Sequence, residues 1–163
     1  MPSNEDLGKK ENYKGCKLAE SGNIDHAIEY FNQSISLNPK SSKTYNNIAK
    51  ALIEKKEFEQ ARVNIMKAIS LNSNQAKFYN TLGLIYVNTD KLDLAEKAFT
   101  NAINIDPDYV EALNNIACVY QSKFAYKEAI HIYKQIIKKK KDYIKAINNL
   151  GICYGESGSV EQA

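Results

Sequence analysis

The sequence predicts an all-α protein, an α-α superhelix in which antiparallel helix hairpins stack into a solenoid. Three observations predict it. Similar residues return at a step of 34 along the 163-residue chain. Within each step, apolar residues mark one helical face and then, after a polar break, a second one. A column of small residues runs beside a column of large ones, as close helix contact requires.

The columns define the units. Ala27, Ala61, Ala95, Ala129 and Ala163 share one register, and Gly15, Ala49, Gly83, Ala117 and Gly151 share another. Leu18, Leu52, Tyr86, Tyr120 and Tyr154 form a third, and Phe31, Ile65, Phe99 and Tyr133 a fourth. Ser34, Ala68, Ala102 and Ile136 form a fifth, and Pro39, Ser73, Pro107 and Lys141 a sixth. The resulting units are 8–41, 42–75, 76–109, 110–143 and 144–163, after a lead-in of residues 1–7.

In order along the chain, the first unit carries Glu11 and Lys14 at positions that are apolar later, as a polar outer end requires. Gly22 marks its inter-helix turn. The second unit repeats the small and large columns with Ala49, Leu52, Ala61 and Ile65. In the third, Tyr79, Leu82, Gly83 and Tyr86 lie on one helical face, and Thr89-Asp90-Lys91 interrupts the pattern. Leu92, Ala95, Phe99 and Ala102 resume it, and Pro107 prevents the second helix from continuing. The fourth unit has Lys141 in place of proline, and the fifth has Gly158 at its turn. The fifth stops at Ala163, early in its second helix, which suggests a fragment of a longer protein. A hairpin cannot bury its apolar face alone, so neighbours must cover one another.

This pattern resembles the tetratricopeptide repeat family, whose units are helix–turn–helix repeats of about 34 residues. The family signature appears in unit three as Tyr79, Leu82-Gly83, Tyr86, Ala95, Phe99, Ala102 and Pro107. The resemblance implies a non-catalytic module that binds a segment of a partner protein: a scaffold or adaptor.

Composition and motifs fit that expectation. Charged residues make up 25% of the chain and the formal charge is only +3. Arg62 is the only arginine, whereas arginine is favoured for phosphate and base recognition, so no nucleic-acid partner is expected. The abundance of Lys, Asn, Ile and Tyr has a plainer cause in an AT-rich genome. No apolar run reaches the length of a membrane span, and the acidic N-terminus lacks the features of a secretory signal. Three widely spaced cysteines, Cys16, Cys118 and Cys153, argue against a disulfide framework and for an intracellular, cytoplasmic setting. His26 and His131 are far apart, no metal-ligand spacing occurs, and no nucleophile or phosphate-binding motif is present, so neither a cofactor nor enzyme activity is expected. Lys138-Lys139-Lys140-Lys141 reads as a solvated helix end facing the negative pole of the dipole.

The first helix of each hairpin should line the concave side, where such solenoids bind ligands. Two columns on those helices are candidate contacts. Asn12, Asn46, Asn80, Asn114 and Asn148 stand in every unit, beside Asn47, Asn115 and Asn149, with Tyr13 and Thr81 breaking the second column. An amide both donates and accepts, so a row of them could hold the backbone of an extended peptide. Lys9, Lys43, Lys77 and Lys145 form the other column, interrupted by Glu111, and Lys50 adds a further cation. Their charge would favour acidic segments of a protein or peptide. The chain is expected to be a monomer, with self-association possible through the incomplete last repeat.

Two uses of the family can be compared residue by residue. The carboxylate clamp of chaperone-binding members, which grips acidic C-terminal tails, would have Lys at Asn12, Asn at Cys16, Asn at Asn47, Lys at Lys77 and Arg at Thr81. Only Asn47 and Lys77 match. The same comparison over units three to five keeps only Asn115 and Lys145, so the clamp is incomplete. The asparagine-lined solenoid of protein O-glycosyltransferases would have its ladder at Asn47, Asn115 and Asn149, interrupted at Thr81. That resemblance implies the alternative of a substrate-recruiting arm of a larger enzyme.

Overall fold

A computed structural model describes residues 2–158. Among them are nine α-helices: α1 (Asn4–Glu20), α2 (Ile24–Leu37), α3 (Ser42–Glu54), α4 (Phe58–Leu71), α5 (Ala76–Asn88), α6 (Leu92–Ile105), α7 (Val110–Ser122), α8 (Tyr126–Lys139) and α9 (Ile144–Glu156). Each helix packs on the next, and first helices also touch the first helix of the following hairpin. Ala163, the last member of the alanine column, lies outside the described residues.

α1 begins at Asn4, inside the lead-in of residues 1–7. Ser3 and Asp6 form a capping box, with Ser3 Oγ accepting from the Asp6 amide at 3.1 Å and Asp6 Oδ2 accepting from the Ser3 amide at 3.3 Å. This reciprocal pair satisfies two helix-end donors and starts the helix at Asn4.

The small columns meet the large ones inside each hairpin. A Cβ placed on Gly15 would stand 2.5 Å from the Phe31 ring, and one on Gly83 would stand 2.4 Å from the Phe99 ring. Both phenylalanines are buried, as are Ile65 and Tyr133 in the same column. Between hairpins, Phe31, Ile48, Leu52, Ile65, Phe78 and Ile85 belong to one core that spans the first three units. Glu11 and Lys14, the polar substitutes in unit one, pair with each other at 2.9 Å on α1.

The turns share a feature that glycine marks only in part. Gly22 and Gly158 have φ of 81° and 72°, and the residues at the same register between them are Lys56, Asp90 and Phe124, with φ of 61°, 56° and 59°. All five positions therefore take the left-handed conformation, and three do so without glycine at a steric cost of about 1–2 kcal/mol. Lys56→Gly relieves that cost but loosens the unfolded chain. The net expectation is a gain of about 0.5–1 kcal/mol, seen as a higher melting temperature. No change on melting would mean that this position carries no backbone strain.

Candidate functional site: the concave face

The asparagine columns form a ladder between successive first helices. Asn47 Nδ2 donates to Asn12 Oδ1 at 3.0 Å, Asn115 Nδ2 to Asn80 Oδ1 at 2.9 Å, and Asn149 Nδ2 to Asn114 Oδ1 at 3.4 Å. At the remaining step, Thr81 Oγ1 donates to Asn46 Oδ1 at 2.9 Å and also lies 3.0 Å from the Lys77 carbonyl. Thr81 thus continues the ladder that the sequence pattern suggested it would break.

This bonding limits how much of the asparagine row is left for a ligand. Asn46, Asn80 and Asn114 are buried at 9%, 8% and 7% exposure, because each sits under the next hairpin. Each amide of a bonded pair commits one of its two hydrogen-bonding ends to a neighbouring hairpin. Among the described residues, no fully buried side-chain nitrogen or oxygen lacks a partner, so the ends left over at Asn46 and Asn80 reach solvent. Each bonded amide therefore keeps one hydrogen-bonding end rather than two. Asn148 is exposed, and Asn12, Asn47, Asn115 and Asn149 are half-buried.

The structure brings only some of the candidates together. Asn12, Lys43, Asn46, Asn47 and Lys77 line a concave cavity of about 560 Å³ over the first three hairpins. Asn47 also borders a cavity of about 230 Å³, which Lys50 lines with Cys16, Glu20 and Glu54. Lys9, Asn80, Asn114, Asn115, Lys145, Asn148 and Asn149 line neither. All five lysines are exposed. Lys9 pairs with Glu5 at 2.8 Å, whereas Lys43, Lys50 and Lys77 form no ion pair among the described residues. Unpaired cations at a concave surface raise the local positive potential.

Sequence patterns did not point to the floor of the larger cavity. Asn74, Gln75, Ala76, Phe78, Ile105, Asp106 and Tyr109 complete it, most of them from the connections between hairpins. A signal existed: Gln75 and Tyr109 occupy one register, just ahead of α5 and α7. Burial raises the Tyr109 phenol above its ordinary range, helped by Glu111 and Asp106, so the group stays a neutral hydroxyl.

The cysteines belong to the packing. Asn47 Nδ2 lies 3.3 Å from Cys16 Sγ, and Tyr133 donates its hydroxyl to Cys118 Sγ at 3.3 Å. Burial pushes the Cys16 thiol up and the Cys153 thiol up to about 11, away from the thiolate character of a nucleophile. The exposed histidines bond locally, His26 to Asn23 and His131 to Gln135. In the lysine run, Lys139 pairs with Asp108 at the end of α8. The described residues contain no cluster of three or more potential metal ligands, and no helix among them is long and apolar enough to cross a membrane.

Comparison with known proteins agrees with this architecture. Tetratricopeptide repeat patterns match residues 14–41, 30–63, 76–109 and 110–141, together well over half of the chain. The chain belongs to the tetratricopeptide repeat family. An uncharacterized protein of Methanocaldococcus jannaschii is 38% identical over 60 residues, which cover 36% of this chain and 70% of that one. The crystal structure of MamA protein superposes with a TM-score of 0.78 at 23% identity, over 95% of this chain and 85% of that chain. The first tetratricopeptide domain of Spaghetti (RPAP3), bound to the HSP90 peptide SRMEEVD, superposes at 0.69 with 24% identity, over 75% of this chain and 95% of that chain. At these identities the two structures share the fold with this chain. Tetratricopeptide repeats of this kind form protein–protein interaction modules.

Proposed function

We propose that the chain is a non-catalytic scaffold or adaptor, which holds an acidic segment of a partner protein in the concave face of its first three hairpins. The observation that carries this reading is the cavity of about 560 Å³ with Lys43 and Lys77 on its wall, neither engaged in an ion pair among the described residues. Beside them each bonded amide of the ladder keeps one hydrogen-bonding end for a ligand backbone. The Spaghetti domain, which shares the fold, holds a peptide that contains two glutamates and an aspartate, and this supports a segment of like chemistry here.

The chaperone-tail clamp finds less support. Asn47 and Lys77 do line one cavity, but Thr81, where the clamp would place an arginine, is 3% exposed and bonded to Asn46. The enzyme-arm alternative rests on Asn47, Asn115 and Asn149, whose donor ends are taken up between hairpins.

The test is capture of partners from extract of the source cell by the native chain and by a Lys43→Glu/Lys77→Glu variant. Both residues are exposed, so the variant should melt within about 0.5 kcal/mol of the native chain. A partner retained by the native chain and lost by the variant is the expected outcome. Equal retention by both would move the binding surface away from this cavity.

A further inference from the structure

The two cavities of the concave face meet at Asn47, which lines both. Their charges differ in sign. The larger has Lys43 and Lys77 against Asp106 alone, and the smaller has Glu20 and Glu54 against Lys50 alone. Along α3, Lys43, Asn47, Lys50 and Glu54 are spaced i, i+4, i+7 and i+11, so they share one helical face. At 1.5 Å rise per residue, Lys43 and Glu54 stand roughly 16 Å apart along that face. Glu54 forms no ion pair among the described residues, and Glu20 has only the exposed pair with Lys17 at 3.0 Å. An exposed pair of that kind contributes little and yields readily to a better partner.

We propose that this face reads a charge-split segment: one whose carboxylates seat at Lys43 and Lys77 and whose cationic side chain seats between Glu20 and Glu54. The idea rests on the proposed function and adds orientation to it. A uniformly acidic segment would meet like charge at Glu20 and Glu54, and a reversed one would meet like charge at both ends. The separation of roughly 16 Å corresponds to about five residues of extended chain. The corresponding edge of α7 and α9 is built differently. Glu111 replaces the lysine of the first three units on α7, and although Lys145 and Glu156 repeat the spacing on α9, Gln121 Nε2 donates to Glu156 Oε2 at 2.8 Å. The acidic end is therefore already engaged on α9, whereas Glu54 on α3 forms no ion pair among the described residues.

Panning a random 20-residue peptide display library against the native chain, with two charge-reversed variants in parallel, tests this. The variants are Lys43→Glu/Lys77→Glu and Glu20→Lys/Glu54→Lys, each checked for a native helical melt. From the native chain, enriched peptides should carry acidic residues at one end and a basic residue about five positions away when extended. The first variant should lose the acidic preference and keep the basic one, the second should do the reverse, and each should bind native-selected peptides at least tenfold more weakly. Native-selected peptides that are uniformly acidic, or that bind the glutamate variant undiminished, would overturn the charge split while leaving groove binding intact. No enrichment over an unrelated helical protein would overturn the proposed function and this inference together.

Discussion

Gly83→Leu should lower stability by about 3 kcal/mol, the upper end of the usual cost of overpacking. For a chain of this size that corresponds to a melting temperature lower by roughly 6–12 °C. The reason is local and geometric. Even the first carbon of a new side chain would lie 2.4–2.7 Å from three atoms of the Phe99 ring. Phe99 is fully buried among Ala95, Ile116 and Val119, so it has no room to yield. α5 and α6 would have to separate, and the damage would reach α7, because Ile116 and Val119 belong to the same buried cluster as Phe99. In a stacked array, stability is a sum over units and their interfaces, so the third and fourth hairpins should open first and the first two should persist longer. Hydrogen exchange on the variant would show faster exchange centred on α5–α7. An unchanged melt would mean that the glycine column does not sit where the hairpin helices touch.

The second large effect concerns the amide ladder. An Asn46→Ala/Asn80→Ala/Asn114→Ala variant removes the acceptor from three of the four inter-hairpin bonds. At about 1 kcal/mol for each net hydrogen bond, the loss is roughly 3 kcal/mol, and a stranded donor adds to it. The three sites should not weigh equally. Thr81 keeps the Lys77 carbonyl when Asn46 is removed, and Asn149 keeps a contact to Cys118 Sγ at 3.4 Å when Asn114 is removed. Asn115 has no other bonded partner among the described residues, so Asn80→Ala should be the costliest single change. Thermal melts of the three single variants check this order. Equal and negligible effects would return the asparagines to the role of ligand contacts. With the expected destabilisation, loss of a partner by the triple variant would report on stacking as much as on binding, and so the exposed lysines are the cleaner probes of the groove.

These two results mark how much of the molecule its sequence reveals. Gly83 and Phe99 were legible because packing inside a hairpin is identical from unit to unit, and a 34-residue step superposes it. The ladder was hidden because its bonds run diagonally. Each joins residues 35 apart, such as Asn80 and Asn115, so its two ends fall in different columns. For the same reason Thr81 looked like an interruption, although its hydroxyl supplies the bond that an amide supplies elsewhere. The left-handed turns were visible only at Gly22 and Gly158, since Lys56, Asp90 and Phe124 adopt the same backbone without the residue that usually announces it. The lysines of the groove could be placed from helical spacing alone. The cavity around them could not, because Asp106 and Tyr109 reach it from a connection, where periodicity carries no information.

The central claim, that the concave face of the first three hairpins holds a partner segment, is tested most directly by photo-crosslinking. Benzoylphenylalanine would replace Asn74, an exposed residue on the lining of the cavity, in one version of the protein, and Val63, which is 63% exposed on α4, in another. Illumination in extract of the source cell, followed by mass spectrometry of the adducts, reads out what lies against each position. The account predicts a discrete adduct from position 74, carried on a charge-bearing segment of one partner, and none of that partner from position 63. Adducts to the partner from position 63 with none from position 74 would place binding on the second helices and contradict it.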